Sequence, residues 1–363
     1  MPRRTATMLA STLMLFALLC AGVFMKVPYS EMSPGPTVNT LGDSHGEPVL
    51  NISGRKTYPT SGHLNMTTVR VTGADYDMNL LEAVYGWAAG DNIVVPHENL
   101  YPDGKTEQES TQENAEEFSQ SQESAKVAAL KQLGIPVATQ MIVASVVKGS
   151  PSEGKLHAGD VIKAVDGDPV NAPEDVAKLV TKHKAGEPVE FTIVPAAEAA
   201  EAEKAHREPT GTTKITIVSG KAEGDGHAVV GIRAGTDHTF PFNVDIKLAD
   251  VGGPSAGLMF ALGIVDKLTP ESLTGGKFIA GTGTIDDAGK VGPIGGIQMK
   301  TIGARQAGAE YFLTPAENCA AAAGDVPDGL TLVKVSTIDD AVKALEKIGK
   351  GDTAGLPRCT AKP

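Results

Sequence analysis

Aromatic residues are scarce in this chain of 363 residues, at 4% against 41% hydrophobic overall. Its cores must be built mostly from Val, Ile, Leu and Ala, and a chain this long suits two or three domains. Clusters of lysine and arginine are missing as well. With a formal net charge of -12, the chain lacks the basic surface that a phosphate backbone requires, which excludes nucleic acid as a partner. A phosphate-cradling loop is also absent. The nearest approach, "GTIDDAGKV", has the wrong spacing and ends in Val where Ser or Thr is needed. No ATP, no other cofactor and no metal is therefore expected. Cysteine is represented only by Cys20, Cys319 and Cys359. A bridge between the last two would close a loop of about 40 residues, worth about 4 kcal/mol in the chain-entropy model. Two free thiols are the alternative.

Charge is missing from one long stretch, "ATMLASTLMLFALLCAGVFM" at residues 6–25. Twenty such residues in a helix span about 30 Å, the thickness of a bilayer core. Arg3 and Arg4 precede the run, so the positive-inside rule keeps the N-terminus in the cytoplasm and sends the rest across. A cleaved signal peptide usually has a shorter apolar core, about 7–15 residues. A lipoprotein cysteine at Cys20 is disfavoured by the bulky Leu18 and Leu19 before it. The expectation is a single-pass cell-membrane protein whose larger part is extracytoplasmic.

Five segments follow from composition and patterning. Residues 1–27 are the cytoplasmic tip and anchor. Residues 28–120 begin with a Pro/Gly/Ser-rich spacer at 27–42, then the strands "PVLNIS" and "HLNMTTVRVTG", then a short helix "MNLLEAVYGWAAG". The polar, acidic residues 101–125 suit a solvated helix or a mobile segment. Residues 121–209 form a denser unit, with which the preceding strands are expected to associate. It has apolar strands at 141–147, 160–165 and 189–194, an Asp166-Gly167 hairpin turn and a helix from Asn171 or Pro173 to about Lys184. An Ala/Glu-rich boundary lies at 195–211. Residues 210–350 read as α/β, and 351–363 as a tail.

The chemistry concentrates in "DVGGPSAGLMFALGIVDKLTP", residues 250–270. Ser255 stands between a Gly-Gly-Pro turn and an apolar helix with Leu258, Met259, Leu262 and Val265 on its buried face. It is either a helix cap or a nucleophile. Pro254 fits a first helical turn, and backbone N–H groups near Gly253–Ser255 would suit an oxyanion. A serine hydroxyl needs a base. His227 and His238, with Asp237 or Asp250 as a third member, have no motif context. Lys300 ends "GPIGGIQMK", a Gly-rich entry into a helix with Ile294, Ile297, Met299 and Ile302 nearby. Burial among such residues can lower a lysine's pKa by several units, whereas a lone helical lysine is ordinarily a solvated charge.

Two resemblances add to this reading. "GSPSEGKLHAGDVIKAVDGDPV" is similar to PDZ domains, with their Gly-Ser-Pro, Leu-x-x-Gly-Asp-x-Ile and Asp-Gly hairpin. That implies an extended peptide added as a strand to the edge holding Met141, Ile142 and Val143, beside the helix at 173–184. The family's carboxylate-binding loop is not recognisable in "GIPVATQ". Ser255 in "GGPSAG" and Lys300 in "PIGGIQMK" resemble the Ser-Lys dyad of Lon-type proteases, and "GTGTIDDAGKVGPIGG" resembles the segment between them. In that family Thr282 corresponds to a threonine that orients the lysine. The acidic residue often found three before the serine is Gly252 here, with Asp250 two further back. The whole arrangement resembles the membrane-anchored PDZ/Lon-type serine proteases of Gram-positive bacteria. It implies an α+β chain with an N-terminal transmembrane helix, a PDZ-like domain and a C-terminal Lon-type proteolytic domain. The implied activity is ATP-independent serine endopeptidase action on unfolded or flexible extracytoplasmic or membrane-associated proteins, in a homo-oligomer such as a hexameric ring. The rival is a non-catalytic membrane-tethered PDZ adaptor with a degenerate protease domain. A small-molecule hydrolase is disfavoured: "GPSAG" reads Gly-x-Ser-x-Gly, but no histidine follows residue 238.

Overall fold

The uncharged run near the N-terminus folds as α1 (Arg3–Phe24). Its residues Thr7–Phe24 have a mean hydropathy of 2.1 and reach about 27 Å at 1.5 Å per residue. Leu13, Met14, Phe16 and Leu18 are all exposed along it. The computed structural model describes residues 3–102, 106–205, 207, 210–222, 224, 226–249 and 251–361. These fall into two compact units, one comprising residues up to Gly134 together with those from Val244 onward, the other Ile135–Asn243.

The segment after α1 is more ordered than its Pro/Gly/Ser content predicts. Residues 29–39 are no spacer but a strand, β1 (Tyr29–Asn39), paired with β2 (His63–Val71) and with β3 (Ile93–Pro96), both antiparallel. Prolines are tolerated there for a local reason. The β1–β2 register shifts between Pro34 and Thr37, and β3 pairs only with Tyr29 to Met32, so neither proline has to donate to that neighbour. Helix α2 (Leu80–Ala88) starts with a capping box between Asn79 and Glu82. Helix α3 (Glu107–Gln132) starts with another, between Thr106 and Glu109. The acidic first half of α3 matches a solvated helix. Its second half buries Phe118, Ser121, Ala125 and the run Val127 to Leu130, so it is a core element rather than a mobile one.

The second unit is an antiparallel sheet of β4 (Ala138–Val146), β5 (Val161–Val165), β6 (Pro188–Val194), β7 (Thr213–Val218) and β8 (Ile232–Thr239), in the order β7-β6-β5-β4-β8. Leu156, Ile162, Phe191, Ile193 and Ile217 fill its core with helix α4 (Pro173–Thr181). Asp166 and Gly167 both have positive φ, 52° and 83°, the conformation a two-residue hairpin turn demands. Residues 196–204 form a short helix, α5 (Ala196–Lys204). The boundary expected at 209/210 is corrected by this topology: β7 and β8 belong to this sheet, not to the α/β part that follows.

The last third completes the first unit. Helix α6 (Gly257–Leu268) is apolar all round from Gly257 to Val265 and accordingly buried there, with Asp266 buried after it. Strands β9 (Phe278–Gly281), β10 (Tyr311–Pro315) and β11 (Thr331–Val335) extend the first sheet to the order β11-β10-β9-β2-β1-β3. The β9–β2 pairing is parallel and matches Phe278 with His63. Strands β1, β2 and β3 are thus built into the sheet of the last third, not associated with the second unit as expected, and the expected strand in "PVLNIS" is a short one, Leu50–Ser53, paired with Asn243–Ile246. Helices α7 (Ile297–Gln306), α8 (Cys319–Ala322) and α9 (Ile338–Gly349) complete it. Cys319 and Cys359 are joined by a disulfide with Cα atoms 4.9 Å apart. The tail runs along β11, with Cys359 N donating to Leu332 O and Lys334 N donating to Pro357 O.

Candidate active site

Ser255 is not a cap. Helix α6 has its cap position at Ala256 and no side-chain capping bond. The serine hydroxyl instead meets Lys300, whose Nζ lies 2.9 Å from Ser255 Oγ. The same Nζ donates to the main-chain carbonyl of Thr67 in β2 at 2.7 Å. Lys300 is 3% exposed, and the burial pushes its pKa down from 10.5 to about 8. Its backbone position follows from Gly296, which precedes α7 with φ +66° and lies so close to β1 and β2 that a Cβ would fall 2.9 Å from Met32 Cε and 3.0 Å from Val69 Cγ1. Only glycine lets α7 start against that sheet, and the start fixes where Lys300 points.

Thr282 is fully buried, but its hydroxyl does not hold the lysine. It donates to the carbonyl of Ser255 at 3.0 Å, and the amide of Gly283 donates to the same oxygen at 2.9 Å. The threonine therefore fixes the serine's backbone. The turn ahead of the serine is held from α3. Gly253, at φ +80°, donates its N–H to Asn114 O at 2.8 Å, and Ser121 Oγ donates to Pro254 O at 2.9 Å. This corrects the expected oxyanion donors. The Gly253 amide is engaged elsewhere and proline has no N–H, which leaves the amide of Ser255 itself. Asn114, Ser121 and Thr67 carry no sequence signal for such roles, because each acts through, or on, main-chain atoms far away in the chain.

The histidines do not join this cluster. Both lie in the second unit: the ring of His238 pairs with Thr139 Oγ1 across β8 and β4, and His227 lines a groove described next. Asp250 lies outside the described residues. Among the described residues, no group of three or more His, Cys, Asp or Glu side chains is placed to hold a metal ion.

In the second unit, the expected peptide-binding edge is not an edge. Met141, Ile142 and Val143 pair with Thr236, Gly235 and Ala234 of β8 on one side, and Met141 and Ile142 pair with β5 on the other. The sheet's terminal strands are β7 and β8, and β8 is the one beside β4. Between β8 and α4 runs a groove of about 260 Å³, lined by Val176, Ala177, Val180 and Thr181 on the helix and by Val229 to Ile232 and Ala234 opposite.

Comparison with known proteins decides the family relationships. Residues 249–347 match the Lon protease (S16) C-terminal proteolytic domain and residues 113–202 match the PDZ domain. The chain carries a Lon-type proteolytic domain and a PDZ domain. Lon protease of Azospirillum brasilense is 39% identical over 95 residues, 25% of this chain and 11% of that protein. Lon protease 1 of Bacillus subtilis strain 168 is 34% identical over 95 residues, 25% of this chain and 12% of that one. The chain thus spans about a tenth of the length of these relatives. Among solved structures, the PDZ domain of an SdrC-like protein from Listeria monocytogenes is 20% identical, covers 26% of this chain and 86% of that domain, and has a TM-score of 0.21. A protein from Geobacillus thermodenitrificans is 27% identical, covering 23% of this chain and 82% of that one, with a TM-score of 0.18. The Lon-type match starts at residue 249. It therefore omits β1, β2, β3 and α3, although Thr67 of β2 touches the Lys300 amine and α3 holds the Ser255 turn. The compact unit that contains this match is built from chain on both sides of Ile135–Asn243.

Proposed function

We propose that this chain is an ATP-independent serine endopeptidase in which Ser255 is the nucleophile and Lys300 the general base. The observation that carries the reading is the buried amine 2.9 Å from a hydroxyl. Neutral Lys300 accepts the Ser255 proton as Oγ attacks the substrate's carbonyl carbon. The carbonyl oxygen takes the negative charge and is held by the Ser255 amide. Lysine then returns the proton to the departing amine as the peptide C–N bond breaks, leaving an ester on Ser255. Water, deprotonated by the same lysine, attacks that ester, and the acid product leaves with serine restored. Thr282 and the Thr67 carbonyl keep the two partners in place.

The remaining parts follow from the same reading. Helix α1 anchors the chain in the cell membrane with the PDZ and proteolytic domains outside the cytoplasm. The groove between β8 and α4 takes an extended segment of an unfolded or flexible protein substrate as an added strand, through backbone hydrogen bonds. The Lon-type domain assembles as a homo-oligomer, with a hexameric ring as the expected form.

The test is cleavage of an unfolded protein by the purified chain without nucleotide. Ser255→Ala and Lys300→Ala should each abolish cleavage and leave the fold intact, and a fluorophosphonate should label Ser255 in the parent only. If both variants still cut, the dyad assignment is wrong. If the parent neither cuts nor labels under any condition, the adaptor reading stands in its place.

A further inference from the structure

Helix α2 is turned inside out for a helix on a water-facing surface. Its inner face is made of small residues: Ala83 and Gly86 are buried, and a Cβ on Gly86 would fall 2.8 Å from Glu31 Oε2 and 3.0 Å from Val94 Cγ2. Its one acidic residue, Glu82, is engaged at the cap with Asn79 and accepts from Tyr76 Oη. The other face carries the large apolar side chains. Val84, Tyr85 and Trp87 are 52%, 72% and 77% exposed. With a 3.6-residue turn, positions 80, 81, 84, 85, 87 and 88 share that side, and they read Leu, Leu, Val, Tyr, Trp and Ala, without a charge. A surface helix in water puts its polar stripe outward. A lone exposed apolar residue needs no explanation, but a continuous apolar face does.

The position of the helix says what covers that face. Its start is tied to the exit of α1. Leu80 N donates to Met25 O and Val27 N donates to Met78 O, each at 2.9 Å. A Cβ on Gly22 would fall 3.0 Å from Leu81 Cγ. Gly22 lies two residues inside the end of the apolar run Thr7–Phe24, about 3 Å along the helix axis. The first turn of α2 therefore sits at the depth where α1 leaves its apolar span.

We infer that α2 lies in the membrane interface, with Val84, Tyr85 and Trp87 seated among the lipid headgroups and the first acyl carbons. This rests on the reading of α1 as a membrane span. Tryptophan and tyrosine prefer that boundary, where an apolar body and a polar tip are both accommodated, and an apolar helix face binds there in proportion to the area it buries. Since Gly86 of α2 packs on Glu31 of β1 and Val94 of β3, the contact makes α2 a second attachment of the proteolytic sheet to the bilayer.

Trp87 is the chain's sole tryptophan, so its fluorescence reports this site alone. The full chain is reconstituted in vesicles of phosphatidylcholine and phosphatidylglycerol carrying a nitroxide either near the headgroup or near the acyl end. The expected result is a blue-shifted emission, quenching several-fold stronger by the shallow label than by the deep one, and protection from aqueous acrylamide. The double substitution Val84→Glu, Ala88→Glu, on the same face with Trp87 retained, should abolish the shallow-label quenching. Full acrylamide quenching in a chain that resists alkaline carbonate extraction overturns the inference and leaves the anchor standing. Protection from acrylamide without lipid quenching also overturns it, because another protein surface then covers the face. Release of the chain by carbonate removes the anchor reading and the inference with it. Unchanged lipid quenching in the doubly substituted chain shows that this face is not what inserts, and likewise overturns the inference.

Discussion

Lys300 has a charged state that its surroundings oppose, and that opposition can be read in two separate measurements. Burial sets its pKa at about 8 against 10.5 for a free lysine. As the base in the free enzyme, it should make kcat/KM rise with pH and level off above about 8; a rise that continues past 10 would mean an exposed lysine and no base of this kind. The stability consequence has a definite sign. The unfolded chain holds the proton up to 10.5 and the folded chain only to about 8, so between these values the unfolded state binds more protons and stability increases with pH. The penalty is complete below the lower value and gone above the higher one. Lys300→Met should lack this pH-dependent increase in denaturant midpoint across that window, and it should be inactive. Thr282 tests placement rather than proton transfer. Thr282→Val deletes the hydroxyl that holds the Ser255 carbonyl, a bond worth about 1 kcal/mol. The expected result is a roughly fivefold lower kcat with KM unchanged, restored by Thr282→Ser.

At the scale of elements, the reading from sequence succeeded where the signal was local and missed where it was not. The Gly-Pro-Ser-Ala-Gly turn leading into α6 and the Gly-Gly entry into α7 both announce themselves, since each needs particular residues at particular φ values. Strand β1 did not, because Pro34, Gly35 and Pro36 look like a linker until the bulge that accommodates them is seen. The PDZ edge was misplaced for a related reason. Strand alternation shows that β4 is a strand, but not that β8, about ninety residues later, closes its open side. The corrected groove makes its own prediction. Ala177 lines it yet is exposed, so Ala177→Trp should fill the groove without disturbing the core. If strand addition at β8 holds substrate, KM for a long unfolded protein should rise about tenfold, equivalent to about 1.4 kcal/mol, with kcat unchanged. A short peptide that reaches only Ser255 should be unaffected. Equal KM values for the long substrate in parent and variant would remove the groove from substrate capture.

For the whole molecule, the order along the chain misleads about the order in space. Residues 135–243 interrupt a compact unit whose sheet joins residue 63 to residue 278, and no composition shift marks such a pairing. The two ends of the proteolytic unit carry the topology argument. At one end is a helix that opens with Arg3 and Arg4 and continues as the apolar run Thr7–Phe24. At the other, Cys319 and Cys359 are bridged and hold the tail against β11. A bridge of this kind persists in an oxidising compartment and not in the cytosol, so it supports the same orientation proposed from the helix. The chain contains three cysteines, of which Cys20 in α1 is free. Chain denatured directly from cells in maleimide-polyethylene-glycol should therefore take at most one adduct, and three when it is reduced first. Reduction should also lower the unfolding free energy of the proteolytic unit by about 4 kcal/mol, the loop-constraint value for 40 residues. Three adducts without reductant would place Cys319 and Cys359 in a reducing compartment, and the extracytoplasmic orientation of the protease would fall with that result.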